Sequence, residues 1–364
     1  MKKQVKRLAI IVTVTVVAFL IGRWDSALYP GPVGEITRVH QTQSQDTTDE
    51  FNNQDSQITQ KLTVKMINRS DHVIHVENDY MNSQAMTTKF KVGDQVLLKK
   101  QNGEFQVDTI KRDSTLLALI AFFLASTFVY VRFTKMSFLL LSLVVNAAIF
   151  AGAILIDVHS KIMPVFLLFA LLAIILAIVS LRLVLGRTKQ ARITLLSTII
   201  ATALAMGIMA LVLKMTGSAG VHFETMSFVT QVPTPIFYAQ ATIGVLGAVM
   251  DESADIVAGL FGLHRESPHR PFRDYRDAGL SVGREILGTL TNVLFMIFIA
   301  ETIPMVVLML RNGNNWSYIT DQVMNLGILQ TVVSAIGIVW AVPVTAGITA
   351  ALLRHRDEEE EARL

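Results

Sequence analysis

Apolar runs alternate with short polar connections along most of the chain, and the pattern is interrupted once. Eight apolar stretches can be marked: Leu8 to Ile21, Thr115 to Val131, Met136 to Ile156, Pro164 to Leu185, Ile193 to Leu213, Ile236 to Leu263, Val282 to Leu310 and Gly327 to Leu353. Most match the ~20 residues that a helix needs to cross the hydrocarbon core of a bilayer. The interruption, residues 24–113, has another period. Val33 to His40, Ile58 to Met66, His72 to Glu77, Lys89 to Lys99 and Phe105 to Ile110 alternate apolar and polar residues, as half-buried strands do. Gly93-Asp94 and Asn102-Gly103 are turn signals, the second a strong hairpin type. Gln41 to Gln57, rich in Gln, Asn, Asp, Ser and Thr, reads as a mobile loop. The pattern predicts an α-helical multi-pass membrane protein of about eight transmembrane helices with a small extracytoplasmic antiparallel β domain of about five strands. Its parts are 1–23, a signal anchor and first span; 24–113, the β domain; 114–353, the helical bundle; and 354–364, a charged tail.

Charge orients this arrangement. Lys2, Lys3, Lys6 and Arg7 precede the first span, Arg132 and Lys135 follow the second, and Arg187, Lys189 and Arg192 precede the fifth. Arg265, Arg270, Arg273 and Arg276 read as a basic loop after the sixth, suited to anionic lipid headgroups. Positive residues collect on the cytoplasmic side, so both termini are expected in the cytoplasm, the β domain outside, and the protein in the cell membrane. A hydrophobic content of 52% agrees with this, as does a mean hydropathy of +0.48. The chain has no cysteine, which excludes disulfides and thiolate metal sites. No Walker loop, zinc-protease HExxH or Rossmann glycine fingerprint occurs, so no cofactor, metal or nucleic acid is expected. His72 and His75 fall on opposite faces of a strand and do not make a paired metal site. Asp157 with His159, and His222 with Glu224, could assemble an outer cation site, but no complete ligand motif accompanies them and ordinary loop polarity is the simpler reading.

The segment Ile236 to Leu310 carries the candidate chemistry. Its first apolar run, Ile236 to Met250, is only 15 residues long, and it reaches a full span only by including Asp251, Glu252 and Asp255. Two placements remain open. In one, the acids lie inside a span of 28 residues ending at Leu263, where ionisable groups point to an ion or substrate pathway. In the other, they sit on an amphipathic helix at the cytoplasmic surface. Asp251 and Asp255, four apart, share a helix face, and Glu252 points about 100° away. Asp251, Asp255, Glu301, Asn292 and Arg284 are the candidate pathway residues. Gly244, Gly247 and Gly288 are candidate positions for close helix packing.

The segments GVLGAVMDESADIVAGL and GREILGTLTNVLF, the AETIP that follows, and IVWAVPVTAGI together resemble the YibE/F family of multi-pass membrane proteins. The resemblance covers Thr115 to Leu353 and extends to the β domain. It implies hallmark positions at Gly244, Gly247 and Asp251, and at Gly283, Arg284, Gly288, Thr289 and Asn292. Glu301 departs from the family pattern, where a small residue is usual. The family is largely uncharacterised, so the resemblance implies a permease only in outline.

Three functions follow as expectations. The first is a secondary transporter or permease that moves a small solute or cation by means of intramembrane carboxylates. The second is an envelope component without transport, whose β domain binds a protein partner. The third is a membrane-embedded enzyme. The lipid bilayer is a partner in all of them.

Overall fold

The structure is a computed structural model that describes residues 2–361 apart from 49–51, 53, 69–71, 85–86, 102, 131–132, 161–162 and 227–232. Asn102, Arg132, Lys161 and the last three residues of the tail therefore lie outside the described residues. The chain divides into two compact units, Met1–Met136 and Ser137–Leu364.

The first unit holds α1 (Lys2–Trp24), β1 (Val33–Thr48), β2 (Gln54–Met66), β3 (Val73–Met81), β4 (Gln95–Gln101), β5 (Glu104–Ile110) and α2 (Asp113–Tyr130). The strands form one five-stranded sheet in the order β3-β2-β1-β4-β5, and every neighbouring pair is antiparallel. Its inner face buries Ile36, Leu62, Val64, Met66, Phe90, Val96 and Leu98. Phe90 lies outside the strands and is fixed by the buried Gln60. The Gln60 side chain donates to the Phe90 carbonyl and accepts from the Phe90 amide, both at 3.1 Å, as a neighbouring strand would. The expected hairpin at Asn102-Gly103 is present: Gln101 pairs with Glu104, and Gly103 has a φ of 91°. The mobile loop expected over Gln41 to Gln57 is not what the chain forms. β1 and β2 pair in register out to Thr48 and Gln54, because polar β-formers on both strands bond across the ladder, as Ser56 does to Asp46 at 2.8 Å.

The sheet joins its helices through a buried lysine. Lys111, between β5 and α2, is 7% exposed. Its ammonium pairs with Asp25 at 2.7 Å and Asp113 at 2.9 Å, donates to the Gly22 carbonyl, and lies 5.5 Å from the centre of the Tyr29 ring. Tyr29 donates to Asp113 at 2.7 Å. That bond, with burial, pushes the Tyr29 hydroxyl up to about 12. The ends of α1 and α2 meet at the same place. A Cβ on Gly22 would stand 2.6 Å from the Ser114 backbone.

The second unit comprises nearly all of α3 (Phe133–Ser160), then α4 (Val165–Val184), α5 (Lys189–Met215), α6 (Pro233–Glu266), α7 (Phe272–Arg311), the short α8 (Trp316–Ile319) and α9 (Asn325–Glu361). Its core is α5, α6 and α9, packed through Ala201, Ala205, Ala241, Val245, Val249 and Ala341. A Cβ on Gly337 of α9 would fall 2.7 Å from Val245, 2.9 Å from Val249 and 3.5 Å from Ala205. α7 lies against α9 by the same device, with Gly279 facing Ala346 and Gly283 facing Val342. α4 rests on α6 through Ala173, Ala177 and Leu246, and α3 bonds to α4 through Asn146 and Ser180 at 2.6 Å.

Two expectations change here. The basic loop after the sixth span shrinks to a turn, because Arg265 belongs to α6 and Arg273 and Arg276 to α7. Buried Tyr275 brings the two helices together there, with His264 Nδ1 2.9 Å from its hydroxyl. The polar connection after α7 folds into α8 and a π-helical turn, Thr320–Met324. Among the described residues seven helices are long and apolar enough to cross a membrane. Of the eight expected spans α6 is the one that falls short. Pro233, Pro235 and Gln240 dilute its start, and three acids dilute its middle.

Removing the Lys111 charge leaves two carboxylates against each other at the root of the sheet. Lys111→Met is expected to destabilise the protein by roughly 3 kcal/mol, read as a fall in the thermal unfolding midpoint of the purified chain. Gly283→Ala places a methyl 2.5 Å from Val342 and is expected to cost about 1–3 kcal/mol by overpacking. Gly288→Ala, with nothing within 4 Å of its Cβ position, is the matched control and is expected to leave the midpoint unchanged.

Candidate functional site

The acids of α6 separate by helix geometry. Asp251 and Asp255, four residues apart, share an exposed face. Glu252 is turned about 100° away and is 0% exposed. Neither of its carboxylate oxygens has a protein partner among the described residues. Such a group is rare in folded proteins and calls for an explanation.

Its neighbourhood follows from the helix register. α5 and α6 run antiparallel. The start of α5 at Thr188 to Gln190 shares a cavity with Phe261, His264 and Arg265. Farther along α5, Met206 and Ala210 share another with Thr234 and Tyr238. Glu252 falls between these fixed points, beside the stretch of α5 around Ser197 and Thr198. There α5 turns inward a stripe of hydroxyls at helical spacing, Thr194, Ser197, Thr198 and Thr202, all buried. α9 adds buried Thr345, which donates to Ser253 of α6 at 3.0 Å, and buried Thr349 one turn on. Thr198 donates to the Thr194 carbonyl at 2.7 Å. The hydroxyl oxygens of Thr194, Ser197, Thr202 and Thr349 have no hydrogen-bond partner in the protein among the described residues. Glu252 is thus the one buried carboxylate among the described residues of this unit, whose other buried polar side chains are serine and threonine hydroxyls and His264. Charged Arg192 and Lys214 bracket the apolar part of α5. Glu252 is level with a point about 5–8 residues, or ~8–12 Å, inside the Arg192 end.

The sequence-predicted residues fall elsewhere. Asp251, Asp255, Arg284, Asn292 and Glu301 are all exposed in the single chain. Of the packing glycines, Gly244 lies against α9, with its Cβ position 3.1 Å from the Gln330 side chain, whereas Gly247 and Gly288 have nothing within 4 Å. Closer approaches between helices are at Gly22, Gly279, Gly283, Gly327 and Gly337, with one more at Gly34 in the sheet. The chain does carry the letters of a hydrolase nucleophile motif, GxSxG, at Gly279-Leu280-Ser281-Val282-Gly283. This stretch lies inside the continuous helix α7 and not at a strand-to-helix turn, so the context that the chemistry requires is missing.

At the other end of the bundle, His222 Nδ1 lies 2.8 Å from Glu224, and its Nε2 lies 3.9 Å from Asp321. The Glu224 backbone amide and the His222 ring hold the Glu224 carboxyl below its usual range. His159 is turned to its own helix, with Nδ1 2.9 Å from the Leu155 carbonyl. Among the described residues no group of three or more metal-ligating side chains assembles.

Family models match this chain almost from end to end. The YibE/F family N-terminal domain matches residues 27–112, and the YibE/F-like protein model matches residues 119–355. The chain belongs to the YibE/F family. The resemblance carried by the Gly-rich aspartate segment and the two later motifs is thereby borne out. No curated protein and no solved structure matches the chain. The YibE/F-like region contains the whole of α4 to α7, Glu252, and α9 as far as residue 355, including Thr345 and Thr349. Of the three acids in the segment Gly244 to Leu260, the one that the fold buries is Glu252, next to Asp251.

A buried carboxyl without partners weakens the fold that holds it. Glu252→Met is therefore expected to raise stability by about 1–3 kcal/mol, seen as a higher unfolding midpoint in detergent. A lower midpoint would mean that Glu252 has a structural partner.

Proposed function

We propose that this YibE/F protein is a membrane transporter that couples to a proton or a small cation through the carboxylate of Glu252. The observation that carries the reading is that carboxylate, fully buried and without a protein partner among the described residues. An ionised, unpaired carboxylate in such a core costs several kcal/mol, and a bound proton or cation removes that cost. The hydroxyl oxygens of α5 and α9 are neutral donors suited to a hard ion. Asp251 and Asp255, on the exposed face of the same helix, serve in this reading to pass the ion toward Glu252. In this reading α6 crosses the membrane along with the seven more apolar helices, so that the protein sits in the cell membrane with both termini in the cytoplasm and the sheet outside.

The test uses the full chain in proteoliposomes that enclose a pH-sensitive dye, with proton, Na⁺ or K⁺ gradients imposed in turn. The wild type is expected to give a protein-dependent flux under at least one gradient. Glu252→Gln is expected to lower it by about tenfold or more, a barrier change of about 1.4 kcal/mol, while the protein remains folded and inserted. An undiminished flux in Glu252→Gln, or no wild-type flux under any of the gradients, would overturn the reading.

A further inference from the structure

We propose that the turn between α4 and α5 is a binding site for the phosphate of an anionic phospholipid. The turn borders a cavity of about 430 Å³ whose lining includes Arg182, Arg187 and Arg192 together with Ile178, Leu181 and Leu195. All three guanidinium groups belong to exposed residues, and no carboxylate pairs with any of them among the described residues. Arg276, by contrast, is neutralised by its neighbour Asp277 at 2.8 Å. Guanidinium groups bind phosphate oxygens in pairs, with fixed geometry. Three that converge on one cavity without an acid leave the charge for a ligand to supply. The start of α5 also faces the cavity and adds the positive end of its dipole.

The apolar part of the lining selects the kind of phosphate. Ile178 and Leu181 lie in the last turns of α4, and Leu195 in the second turn of α5. Two apolar spans end here, so the cavity lies at headgroup depth once the helices are in a bilayer. A phosphate among the arginines would have its acyl chains along the Ile178, Leu181 and Leu195 surface. A free phosphate leaves that surface in water. The site stands apart from Glu252 and does not depend on transport.

The experiment is a native mass-spectrometry titration of the full chain in neutral detergent. The probes are phosphatidylglycerol, phosphatidylcholine of the same acyl chains, and inorganic phosphate as competitor. Phosphatidylglycerol is expected to bind at least about tenfold more tightly than phosphatidylcholine, and Arg187→Gln with Arg192→Gln to remove that preference. Because both side chains are exposed, folding is expected to survive, and circular dichroism checks it. The single charge reversal Arg187→Glu gives a second, smaller perturbation in the same direction. Arg270→Gln with Arg273→Gln, outside the cavity, is the control. The proposal is overturned if the control variant loses as much binding as the cavity variant. It is overturned equally if inorganic phosphate displaces the lipid at matching concentration, or if the two lipids bind alike.

Discussion

Everything in the helical unit depends on how closely α5, α6 and α9 approach one another. Helices draw together to this extent only where side chains are small. The contact is built from Ala201, Ala205, Ala241, Gly337 and Ala341, with Val245 and Val249 filling the space a larger residue at 337 would need. In lipid, association gains little from the hydrophobic effect and relies on van der Waals packing and polar contacts between helices. Small residues let the backbones approach, and the same close packing buries the α5 and α9 hydroxyls and Glu252. Close packing and the buried carboxylate are therefore one structural fact. α7 joins the assembly against α9 through Gly279 and Gly283 and also meets α6 at Leu260, so α9 touches α5, α6 and α7 alike.

Much of this was legible in the sequence, for identifiable reasons. Apolar runs of span length and period-two strands are strong local signals, and most segments they mark are helices and strands in the structure; the exception is Lys89 to Lys99, where strand begins only at Gln95 because residues 89–94 form a connection that ends in the Gly93 turn. What was lost was tertiary. The polar stretch Gln41 to Gln57 has a loop's composition, yet strand pairing with its own partner outweighs composition. The basic loop is mostly helix because Tyr275 packs inside and extends α7 backward. Neither effect is visible in a single window of sequence.

The sequence pattern singles out Asp251 and Asp255, which lie on the exposed face of α6, and not Glu252 on its buried face. Two aspartates four apart make a conspicuous pattern, and a lone glutamate between them does not. Which face is buried depends on α5 and α9, which lie far away in the chain. One clue was available: Thr194, Ser197, Thr198 and Thr202 recur at helical spacing inside an otherwise apolar helix. A polar stripe of this kind needs a polar counterpart across the interface, and Glu252 is the acid that α6 turns inward. Glycine count was a poor guide to packing, since Gly247 and Gly288 face open space while Gly337, in an unremarkable stretch, sits where three helices meet.

The lysine clasp bears on mechanics as well as on stability. Only Lys111 and Arg112 separate the last strand from α2, and Lys111 is itself held by groups from α1, from the turn after it and from the start of α2. A flexible tether would let the sheet tumble independently of the helices beneath it. Here the root of the sheet is stiff. A pull or a twist applied to the strands has no slack in which to dissipate, and passes directly to α1 and α2.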